Sequence, residues 1–139
     1  MMGTDYTIAD AAEHLRKLGV ENSDNLPKVA AIMNKHAGNP WWESCDPITV
    51  ARYQVHEGTM IGDPAVVYAG LDMITGRSVG YYELKLPGCK QKLEAEVDLQ
   101  IERRLRGLGP DVDYARRRQE EAIDDLVSKI TGRTVIVTE

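Results

Sequence analysis

The spacing of apolar residues changes along this chain, and that change limits the folds open to it. From Ile8 to Leu18 the positions Ile8, Ala11, Ala12, Leu15 and Leu18 recur at three and four, one buried helical stripe with Thr7 or Asp5 as cap and Gly19 as stop. A second helix is expected after Ser23 to Asn25, carrying Leu26, Val29, Ile32 and Met33, with Pro27 in its first turn. The middle then reads with period two. The segments 48–56, 65–74 and 78–86 are rich in β-branched and tyrosyl residues, and Ala65, Val67, Ala69, Leu71 and Met73 alternate onto one face. The helical period returns after Pro87, in a helix over about 90–106, a Gly-Pro turn and a second helix over about 112–131.

These periods predict an α+β fold in a single domain. Its parts are an N-terminal helical pair (1–38), a three- to four-stranded antiparallel sheet (46–87) and a C-terminal helical hairpin (89–132). Residues 133–139 would add an edge strand. At 139 residues the chain can bury a real core. It contains no Phe, so Trp41, Trp42 and six tyrosines carry its aromatic volume.

The formal net charge of -5 argues against broad nucleic-acid binding, which needs a basic face. No apolar run approaches the roughly 20 residues of a membrane span, and the opening segment is amphipathic rather than a leader. With two widely separated cysteines, Cys45 and Cys89, a reducing cytoplasm is the expected location. The histidines His14, His36 and His56 lack the paired spacing of a metal site, so no metal and no cofactor is expected. Asp46 and Asp63, each before a proline, read as turn formers.

The stretch YTIADAAEHLRKLGV resembles the opening helix of helix-turn-helix proteins of the excisionase type, a likeness confined to residues 6–20. It implies that residues 25–36 would lie in a DNA major groove. That helix offers only Lys28, Asn34, Lys35 and His36 for contacts, whereas phosphate contacts call for several cations. Sequence-specific DNA binding is therefore not the expectation; two amphipathic helices packed on a sheet are.

Two features remain as candidate sites. Trp41 and Trp42 are adjacent in a Pro-bounded loop, which suggests that one ring is exposed for a partner or a stacked base, with Tyr114 as a further contact. The segment RRLRGLGPDVDYARRRQ places six arginines around the hairpin turn. At about 100° per residue, Arg104 and Arg116 fall on the apolar arcs with Gln119, while Arg117 and Arg118 point away. Arg104, Arg116 and Gln119 thus form an anion or phosphate site, or pair with carboxylates inside the protein.

The expected function is a non-enzymatic binding protein, of the kind found among phage and mobile-element accessory factors, that engages a protein partner or small anionic ligand through this hairpin. The regular apolar stripes predict a homodimer or higher homo-oligomer. Two alternatives stand beside it. One is a nucleotide or second-messenger binder using Arg104 and Arg116; the other is a small enzyme pairing a histidine with a carboxylate, such as His56 with Glu57 or Glu83.

Overall fold

A computed structural model describes residues 6–20 and 25–131; Asp5, Ser23 and the expected edge strand 133–139 lie outside the described residues. Among the described residues there is no strand. The described residues run through seven α-helices: α1 (Ile8–Lys17), α2 (Leu26–Lys35), α3 (Pro47–Gln54), α4 (Pro64–Thr75), α5 (Tyr82–Lys85), α6 (Pro87–Leu105) and α7 (Val112–Thr131). A 3-10 turn, Trp41–Glu43, precedes α3.

The α+β expectation is therefore corrected: the three expected strands of residues 46–87 are α3, α4 and α5. The cause is visible in α4. Val67, Leu71 and Ile74 are its buried apolar positions, spaced four and three, whereas Ala65, Ala69 and Met73 of the alternating set are exposed. Val67 and Leu71 belong to both patterns, so the run alone cannot decide between them. The Asp-Pro pairs decide it. Asp46 caps α3 by accepting from Ile48 N at 3.1 Å, with Pro47 in the first turn. Asp63 accepts from Ala65 N at 3.0 Å at the start of α4, where Pro64 follows it. An acceptor side chain followed by a residue that has no N–H and a helical φ is a helix start.

Contacts divide the chain into two compact units, residues 1–70 and 71–139. In the first unit Thr7 and Asp10 form a reciprocal capping box on α1, and α1 packs on α2, with Ala11 and Leu15 of the one and Val29, Ala30 and Met33 of the other buried. Gly70 lets two backbones meet: a Cβ there would lie 2.0 Å from the carbonyl oxygen of Pro47. Buried Gln54 ties down the connection after α3, donating to Thr59 O and accepting from the amides of Ile61 and Gly62.

In the second unit α6 turns Cys89, Leu93, Glu96, Val97, Gln100 and Ile101 inward. Gly107, at φ 79°, ends that helix in the left-handed region that favours glycine. From α7 the buried residues are Ala115, Arg118 and Ala122. No helix among the described residues is long and apolar enough to cross a membrane.

Candidate functional site

The second unit is built around buried charge. Arg77, in the connection after α4, uses all five of its N–H donors. Its Nη groups grip both oxygens of Glu83 at 3.0 and 2.7 Å, Nε and Nη2 hold Glu96 at 3.0 and 2.8 Å, and Nη1 also donates to Ser78 O at 3.0 Å. Glu83 in turn accepts from Gly80 N at 2.9 Å. Arg118 approaches the same Glu96, its Nε 3.6 Å from Oε1, and reaches out to Glu121 with Nη1. Two guanidinium groups thus face two buried carboxylates, which neutralise each other. Burial works against the charge of Arg77, and the two carboxylates hold its pKa above the ordinary arginine value.

This arrangement corrects the orientation expected of the arginines. Arg118, expected to point away, is 6% exposed. Arg116, expected inside, has a side chain 71% exposed and extends toward Asp113 at 3.4 Å, and Arg104 is exposed on α6. Gln119 is half-buried. The structure brings neither Arg104 nor Arg116 into the buried charge cluster. Sequence reasoning passed over Arg77, which sits in what reads as a hairpin connection. The usable signal was Glu96 and Gln100, polar residues on the same arc as Leu93, Val97 and Ile101.

A second charged group lies in the first unit. Buried Glu57 accepts from Lys35 Nζ at 3.0 and 3.3 Å and lies 3.0 Å from His36 Nε2, so its histidine partner is His36. Burial alone would raise the Glu57 pKa; hydrogen bonds from His36 and Lys35 outweigh that and hold it below the usual carboxylate value. The His36 ring stands edge-on to Trp41 and Tyr53, which stack at 5.9 Å. Both tryptophans are buried and meet each other edge to face at 5.6 Å, so neither is an exposed platform. Tyr114 is half-buried, with the Arg117 guanidinium 5.8 Å from its ring centre, and burial raises its pKa.

Beside this aromatic group opens a cleft of about 670 Å³. Met33 and Trp42 supply buried apolar wall, and Asp10, Glu13, Lys17 and Glu43 are exposed around it. Tyr6 lines one side, edge-on to Trp42 at 5.8 Å, its backbone held by both ends of the Asn34 amide. His14, also lining the cleft, has its Nε2 2.5 Å from the carbonyl oxygen of Ile61.

Among the described residues no group of three or more His, Cys, Asp or Glu side chains could hold a metal ion. Cys89 is buried, and burial together with Asp125 pushes its thiol pKa up, the reverse of an activated thiolate. No protein-family model matches the chain, and no curated protein or solved structure matches it either.

Proposed function

We propose that the protein is a non-enzymatic interaction protein that acts as a homodimer, joined through α7. One observation carries this reading. Because Ala115, Arg118 and Ala122 face the core, a second line of α7 is left outside it: Val112 is 77% exposed, Ile123 48% and Ile130 74%. At 100° per residue these three and Arg116 fall within about 20° of one line, roughly 100° around the helix from the buried face. Large apolar side chains aligned in this way are the mark of an interface rather than of scattered surface exposure.

Charge selects the orientation of the partner helix. Arg116 on the apolar line and Arg117 beside it occupy the first half of α7, and Glu120, Glu121 and Asp124 follow. Two parallel copies would set like charge against like. Two antiparallel copies, crossing near Glu121, place Val112 beside Ile130 and Gln119 beside Ile123, with Arg117 within a turn of Asp124, each contact made twice by symmetry. The buried carboxylates of both charged groups are meanwhile engaged by cations of their own unit.

Sedimentation velocity over a concentration series tests the reading. The wild type is expected to shift from monomer toward dimer, and Ile123→Asp to stay monomeric with the melting temperature of the dilute, monomeric wild type. A wild type that remains monomeric at the highest attainable concentration would overturn it.

A further inference from the structure

The turn that joins α6 to α7 combines two properties that the fold itself does not require together. Residues 103–110, RRLRGLGP, hold three arginines and two leucines and no carboxylate, in a chain whose formal net charge is -5. Leu105 is 75% exposed and Leu108 47%. The backbone makes a tight helix stop here. Gly107 N donates to Arg104 O and Leu108 N to Arg103 O, both at 3.0 Å, and Arg103 Nε closes the turn on Gly109 O at 3.0 Å. In such a stop the residue after the glycine commonly packs on an apolar residue five positions earlier. That earlier residue is Arg103, so Leu108 is denied the usual contact and stays at the surface. The dipole of α6 accounts for cations in its last turn but gives no reason for leucines beside them.

Size and charge choose the occupant. A specific protein interface needs about 800 Å² from each partner, more than eight residues with two leucines can present. A lipid surface needs no matching shape: leucines enter the boundary between headgroups and chains while arginines stay at the phosphates. An anionic surface also complements the local charge. At about 0.1 M salt, screening over about 10 Å makes that local charge count for more than carboxylates beyond that distance. A nucleic acid would answer the arginines and leave both leucines facing phosphate. We propose that the α6–α7 turn is a peripheral docking site for an anionic lipid surface, with Leu105 and Leu108 inserted and Arg104 and Arg106 meeting the headgroup phosphates. These four residues lie outside the exposed line of α7, so the inference does not rest on the dimer.

Co-sedimentation of the full chain with vesicles of phosphatidylserine and phosphatidylcholine in equal parts tests it, with pure phosphatidylcholine as the neutral arm. Binding is expected to the first vesicles and not to the second, and should fall as salt rises. Arg104→Glu should weaken it about tenfold or more, since one cation near such a surface is worth about fivefold and the added carboxylate repels. The double variant Leu105→Ser, Leu108→Ser should also weaken it about fivefold or more. Lys28→Glu, an exposed change of equal charge on α2, should leave it unaltered, which separates the turn from the general charge of the chain.

Three results would overturn the proposal. The chain could stay in the supernatant with anionic vesicles at low salt. The double leucine variant could bind as wild type does, which would make the turn a plain polyanion site, or Arg104→Glu and Lys28→Glu could weaken binding equally. The same series in the Ile123→Asp background should give the same ranking, so failure here is distinguishable from failure of the α7 dimer.

Discussion

At the scale of single residues, exposure separates arginines that the sequence presents alike. Arg77 has five bonded donors and two buried carboxylate partners, whereas Arg116 extends into solvent toward Asp113. Arg77→Met would leave Glu83 and Glu96 buried without their main cation, a loss of about 3–5 kcal/mol. At concentrations where the chain is monomeric, Arg116→Ala should fall within about 0.5 kcal/mol of wild type. Urea denaturation measures both, and similar values would contradict the burial described. Glu57 gives a pH signature. Its folded pKa is lowered, so its stabilising effect is fully present above the ordinary carboxylate pKa and is lost as pH falls through the folded value. The stability difference between wild type and Glu57→Gln should therefore be largest near neutral pH and shrink below about pH 4. A pH-independent difference would show that the pairing with Lys35 and His36 contributes nothing.

At the scale of elements, the helix ends were more legible than the helix interiors. Thr7, one of the two expected caps, and Gly19 mark the ends of α1 in the sequence, and the same residues cap and follow that helix. The middle segments could not be read from periodicity, because Val67 and Leu71 satisfy a strand and a helix at once. Asp46-Pro47 and Asp63-Pro64 held the missing information, but the same pairs also suit turns. Nothing in the local sequence shows that Gly70 must pass beneath Pro47, since that contact joins separate helices. Gly70→Ala should destabilise the protein by on the order of 3 kcal/mol or more, because the added methyl meets a backbone carbonyl rather than a movable side chain. Thermal unfolding checks this, and a neutral outcome would contradict the α3–α4 approach.

At the scale of the whole molecule, the two units differ in how their candidate sites could be foreseen. The cleft depends on residues from α1, α2 and the 3-10 turn, which no single stretch of sequence brings together. The inward face of α7 was misjudged for a related reason. An arc chosen by hydrophobicity centres near Gln119, but Glu96 on α6 draws in Arg118 and rotates the buried face toward the two alanines. That rotation leaves the apolar line outside and supports the dimer. The antiparallel arrangement also brings the two Glu120 side chains near the axis, so Glu120→Gln should tighten the association. The most direct test is a charge-exchange cycle on α7, with dimer dissociation constants measured by sedimentation equilibrium. Arg117→Asp and Asp124→Arg should each weaken the dimer, and the double exchange should recover most of the wild-type affinity. A double variant no tighter than either single one, or an Arg117→Asp protein that dimerises more tightly than wild type, would contradict the antiparallel α7 interface.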